Sequence, residues 1–113
     1  LPAFLTFFLS PDATEAERER LAARCDGQTS LRAANDAFYL DPPKPRPLDI
    51  PVLVASGEGD WSIPRYKNER LARAYGGDHI TVPTAHDIMC DARWEDAAGA
   101  VAGWLQPRFS AQT

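Results

Sequence analysis

Apolar and polar positions change period near the middle of the chain. Before it the spacing is helical. Phe4, Leu5, Phe8 and Leu9 recur at helical intervals until Pro11 breaks the run. Thr14-Glu15-Ala16-Glu17 reads as a capping box: Thr14 takes an orphan N–H, and Glu17 reaches back to it. The helix it opens is predicted to run to Cys25, with Gly27 as its stop. Ser30 is placed to cap a second helix, on which Leu31, Ala34 and Phe38 share one apolar face with Ala37 beside it.

Residues 41–47, Asp-Pro-Pro-Lys-Pro-Arg-Pro, exclude regular helix and central strand. They read as a stiff, extended connector; a proline-rich ligand for a recognition module is the other reading. Beyond them the pattern becomes strand, helix, strand, helix. Ile50 to Ala55 is a continuous apolar run, as in a parallel strand covered on both faces. Pro64 suits the first turn of a helix that carries Leu71, Ala74 and Tyr75 inward and ends at Gly76-Gly77. His79 to Val82 is the second strand. A last helix from about Ala92 to Leu105 bears the stripe Trp94, Ala97, Ala98, Val101, Trp104 and Leu105, with Pro107 expected to end it. Alternation of this kind predicts an α/β fold built on βαβ units. Two strands do not make a stable parallel sheet, so 41–113 reads as the end of a larger one.

At 113 residues the chain is one domain at most, or part of one. Its 44% hydrophobic and 25% charged residues are ordinary for a globular protein. The formal charge of −4, with no basic run, argues against nucleic acid as partner. Cys25 and Cys90 fit neither a metal spacing nor a disulfide framework. Two free thiols point to a reducing, cytoplasmic compartment. No stretch is long enough to span a bilayer. The apolar start at Leu1 lacks the basic region and cleavage site of a signal peptide, and it is expected to follow from cleavage or trimming.

The candidate chemistry lies just past the two strands. Asp60 follows Ile50–Ser56 through Gly57-Glu58-Gly59, and His86 follows His79–Val82 through Pro83-Thr84-Ala85. A carboxylate and an imidazole carried past neighbouring strand ends meet by hydrogen bond, the acid–base half of a nucleophilic device. Gly57 and Gly59 are expected to let the loop turn sharply and aim Asp60 sideways. The residues alone leave a plainer reading open, with Asp60 a turn residue and His86 a buried capping histidine. His79 opens its strand and reads as a surface or edge residue. Glu58 faces solvent, Asp87 is an ordinary loop carboxylate, and Cys90, in Ile88-Met89-Cys90, is a small buried hydrophobe rather than a nucleophile.

The run Ile50–Val54 into Gly57-x-x-Asp60-x-x-x-Pro64, then His86 ahead of Asp91-x-x-Trp94, resembles the C-terminal part of α/β-hydrolase fold enzymes. In that family the triad order is nucleophile, acid, histidine. The resemblance covers about residues 48–106. It implies that 48–106 is the C-terminal part of the hydrolase core, with the last two parallel strands and their helices, and that 107–113 is a tail. By position and helicity it implies that 1–40 is a cap segment. It makes Asp60 the orienting acid and His86 the general base. The family's usual Gly before the histidine is here Ala85. Phe4, Phe8 and Phe38, with Phe7 and Tyr39, line an apolar acyl pocket or pack the cap helices together; Trp61 is a pocket wall or packs its own loop. No Gly-x-Ser-x-Gly elbow is present. Ser56 ends the acid strand, and Ser62 lies too near Asp60 in sequence to act as the elbow serine. The expectation is therefore a serine hydrolase fragment acting on an ester, thioester, lactone or amide, most simply a carboxylic ester. The sheet is incomplete, and a companion N-terminal chain carries the nucleophile and oxyanion hole. The substrate is a small acyl compound, and the chemistry needs no cofactor. The alternatives are a non-catalytic ligand- or partner-binding module of the same fold, and a member with an Asp nucleophile of the dehalogenase or epoxide hydrolase type.

Overall fold

The computed structural model describes residues 8–25, 30–40 and 43–110, without the side chains of Ala34 and Phe38. Phe4, Leu5 and Phe7 lie outside the described residues, and Phe8–Ser10 is bend and coil rather than helix. The first helix, α1 (Glu15–Arg24), starts as its sequence predicts. Thr14 Oγ1 accepts from the Glu17 N–H, and the Thr14 N–H donates to Glu17 Oε2 at 2.7 Å. Such a cap is worth about 1 kcal/mol. The helix ends at Arg24, with Cys25 as its cap residue; Gly27 lies outside the described residues. Leu21 is the residue α1 buries, against Leu9 and Ala13, with Phe8 and Cys90 packed on that cluster.

Ser30 caps α2 (Leu31–Asn35) by accepting from the Ala33 N–H, and a wider π-type turn, Asp36–Leu40, follows. The expected inward face of α2 does not form at its start, since Leu31 is 83% exposed.

The centre is a two-stranded parallel sheet of β1 (Leu53–Gly57) and β2 (Asp78–Val82), with Leu53 opposite Asp78 and Gly57 opposite Val82. This places the chain in the α/β class. β1 begins later than the apolar run suggests. The Asp78 N–H bonds the Val52 carbonyl, whereas Pro51 has no donor and Ile50 is exposed. Between the strands runs α3 (Arg65–Tyr75), packed on both, with Pro64 as its N-cap residue. Of its expected inward residues Ala74 and Tyr75 are half-buried and Leu71 is 40% exposed, while the neighbouring Ala72 is the one fully buried. The small Ala72 lets the helix approach the sheet closely. Gly76, at φ 69°, takes the left-handed conformation that ends α3, and its N–H returns to the Ala72 and Arg73 carbonyls.

Alternation along the strands puts Leu53, Ala55, Ile80 and Val82 on one face. α4 (Trp94–Phe109) lies over that face, burying Ala97. Two bonds to Asp78 Oδ2 fasten it, from Trp104 Nε1 and from Arg108 Nη2, each 2.7 Å. The Arg108 guanidinium also stacks over the Trp104 ring. The helix passes through Pro107 instead of stopping there. Arg108 Nη1 bonds the Trp104 carbonyl, while the Ser110 N–H and Oγ reach the Gln106 carbonyl, so the last turn stays satisfied. Much of its apolar stripe stays open. An apolar groove of about 440 Å³ runs along Ala55, Val82, Trp94, Ala98 and Leu105. Among the described residues no helix is long and apolar enough to cross a membrane.

Gly57 has a steric reason rather than a conformational one. Its φ is not positive, but a Cβ there would collide with the Ala85 carbonyl. Gly57→Ala is therefore expected to cost about 1–3 kcal/mol by overpacking, read as a lowered midpoint in urea unfolding.

Candidate active site

The two chemistry-bearing loops stay hydrogen-bonded after their strands end. The Glu58 N–H donates to the Val82 carbonyl at 2.8 Å, and the Gly59 N–H to the Thr84 carbonyl at 2.9 Å. Asp60 then closes a tight turn. Its Oδ1 accepts from the Ser62 N–H at 2.8 Å, the Ser62 hydroxyl at 2.7 Å and the Ile63 N–H at 3.1 Å. That set orients the carboxylate and leaves Oδ2 for His86 Nδ1, 2.9 Å away. The Asp60 side chain is nearly buried, at 7% exposed, while the imidazole is 33% exposed.

Burial acts to raise the Asp60 pKa. The hydrogen bonds from Ser62, His86 and the Ile63 and Ser62 N–H groups outweigh it and hold the carboxyl below the usual range. An ionised Asp60 accepts a hydrogen bond from Nδ1–H, which fixes the tautomer and leaves the lone pair on Nε2. The described residues give Nε2 no hydrogen-bond partner.

Ser62 Oγ also lies 2.9 Å from His86 Nδ1, so acid, imidazole and a hydroxyl do meet within this chain. They do not form a nucleophilic triad. Ser62 stands on the Nδ1 side that Asp60 already occupies, and its hydroxyl hydrogen goes to Asp60. It acts as a second acceptor for Nδ1–H and a donor to the acid, which steadies both groups.

Behind His86, Thr84 and Ala85 are almost fully buried. Ala85 fits where the resemblance leads one to expect glycine, and its N–H donates to Asp91 Oδ2 at 3.0 Å. Asp91, 1% exposed, also receives the Ser10 N–H at 2.9 Å, the Ser10 hydroxyl at 2.7 Å and the Arg93 N–H at 3.1 Å. Burial again opposes ionisation, and these donors, led by Ala85 and Ser10, lower the Asp91 pKa. On the other side of the histidine the Asp87 N–H bonds the Phe8 carbonyl at 2.8 Å. The Phe8 ring lies against the imidazole, centroids 5.1 Å apart.

Among the described residues Phe8 is brought to His86, while Trp61 is 62% exposed and Tyr39 80%. Phe4, Phe7 and the Phe38 side chain lie outside the described structure. His79 is not a plain surface residue: it is half-buried, with Nε2 at 2.7 Å from Ser56 Oγ across the sheet. Glu58 is exposed. Burial, with the nearby Asp87 carboxylate, pushes the Cys90 thiol up, against a nucleophilic role. In sequence Ser62 is weighed only as a nucleophile and Asp91 appears only as part of a helix-start motif; their bonds to Asp60 and Ala85, and the part played by Ser10, are missed. Asp91 had a local signal, an acidic residue ahead of a helix, but nothing local marks its partner in Ser10.

Among the described residues no group of three or more His, Cys, Asp or Glu side chains could hold a metal ion. Hollows of about 300 Å³ against α1 and about 310 Å³ beside Gly59 are lined by neither Asp60 nor His86. Comparison with protein-family profiles, with curated proteins and with solved structures found no match. The chemical content of the site is thus its geometry: a held imidazole with an oriented carboxylate on Nδ1 and no hydrogen-bond partner on Nε2 among the described residues.

The lowered carboxyl pKa values have a signed consequence. Asp60 and Asp91 stabilise the fold fully above the ordinary value of 3.8, and lose that contribution as pH falls through their lower folded values. Urea midpoints measured from pH 6 downward are expected to fall steeply below about pH 4. Asp91→Asn should flatten that acid limb.

Proposed function

We propose that this chain is the C-terminal portion of an α/β-hydrolase-type serine hydrolase, with Asp60 the orienting acid and His86 the general base. The observation that carries the reading is the 2.9 Å bond from His86 Nδ1 to Asp60, formed beyond the ends of adjacent parallel strands, with no partner on Nε2 among the described residues. In open α/β sheets reactants gather at that edge.

The nucleophile is a serine on polypeptide outside the described residues, a companion N-terminal segment or chain that also provides the oxyanion hole. The strand pairing supports an incomplete sheet: β1 pairs only with β2 among the described strands. In the reaction, Nε2 takes the serine proton as Oγ attacks the acyl carbon. The imidazolium, held by Asp60, then protonates the leaving oxygen, nitrogen or sulfur. A water, deprotonated in turn by Nε2, releases the acid and regenerates the serine. The substrate class is a small ester, thioester, lactone or amide.

Fluorophosphonate labelling of the native assembly tests this. Label is expected on a serine outside the described residues, within a Gly-x-Ser-x-Gly segment. His86→Ala should remove turnover of a p-nitrophenyl ester while leaving the circular dichroism unchanged. Asp60→Asn should reduce turnover by about 10⁴-fold through the wrong tautomer. Ser62→Ala should keep both label and most activity; label lost with Ser62 would make that hydroxyl the nucleophile and overturn the assignment.

A further inference from the structure

We propose that Asp91 is a positioning residue: it seats His86 and ties the histidine loop to the Phe8–Ser10 segment, so that the two move as one unit. This rests on the reading of His86 as the general base.

An acidic residue before a helix is ordinarily a cap, but the N-cap position of α4 is Arg93, and Asp91 Oδ1 takes the Arg93 N–H two residues on, closing the turn that leads into the helix. The other oxygen does something that turn does not require. Oδ2 accepts three donors: the Ala85 N–H, the Ser10 N–H and the Ser10 hydroxyl. Ala85 is the residue immediately before His86. The residue immediately after it, Asp87, is bonded through its N–H to the Phe8 carbonyl. His86 is therefore pinned on both sides, directly or through Asp91, to one three-residue segment far away in sequence, and the Phe8 ring lies on the imidazole itself. A base aimed at a reacting atom loses rate steeply when displaced by about 1 Å. The carboxylate is buried and each oxygen has a donor, so it holds a fixed place. Displacement of Phe8–Ser10 by a ligand or neighbouring segment would pass straight to Nε2.

The test reads His86 directly in the complete protein, by ¹⁵N resonances of its imidazole at fixed pH, with His79 as internal reference. Asp91→Asn keeps the shape and removes one acceptor; Ser10→Ala removes only the hydroxyl. Both are expected to shift the His86 resonances, Asp91→Asn more, with the His79 resonances in place. On a p-nitrophenyl ester, Asp91→Asn should lower kcat by about 10- to 100-fold with KM little changed. Folded variants whose His86 signals stay where they are in the parent would overturn the proposal. If Asp91→Asn does not fold, Ser10→Ala decides in the same way. Shifted His86 signals in a protein that takes no fluorophosphonate and cleaves no ester would uphold the positioning role and sink the hydrolase reading.

Discussion

Two parallel strands whose hydrogen bonds continue past their own ends bring an acid beside a base. The register of β1 and β2 runs on through Glu58 to Val82 and Gly59 to Thr84, so the loops leave the sheet as a pair. Only then do Asp60 and His86 lie at hydrogen-bonding distance, although 26 positions separate them. The close approach leaves no room for a side chain at Gly57. A small residue there, the local ladder and the electrostatics of the site are one constraint at three scales.

Much of this was legible along the chain. The capping box at Thr14, the serine cap at Ser30, the glycine stop at Gly76 and the strand–helix alternation are local, and their signals lie within a few residues. The approach of Asp60 and His86 was legible because parallel strands end at a common edge. The misread features depend on phase or on partners. One step around α3 separates the expected Leu71 from the buried Ala72, and apolarity alone does not resolve that step. Pro107 was read as a stop because the donors that satisfy the last turn, Arg108 and Ser110, become visible only once the helix has formed. The tie between Asp91 and Ser10 crosses most of the chain and leaves no periodic trace.

The polar groups around His86 divide the work by atom. Asp60 Oδ1 is spent on its own turn, and Oδ2 on the imidazole. Asp91 Oδ1 serves the turn into α4, and Oδ2 the loop before the histidine and Ser10. Neither carboxylate is left with an idle buried oxygen, which is why both remain ionised despite burial. Where each lone pair has a task, substitution by an amide of the same shape disturbs orientation more than packing.

The bond between Ser10 and Asp91 spans 81 positions. Closing so long a loop costs more chain entropy than closing α3 onto its two strands, and the bond gains only when everything between is already in place. Docking of the Phe8–Ser10 segment is therefore expected to be a late step of assembly and an early step of opening. In native-state hydrogen exchange it is expected to fall in a less protected cooperative unit than β1–α3–β2.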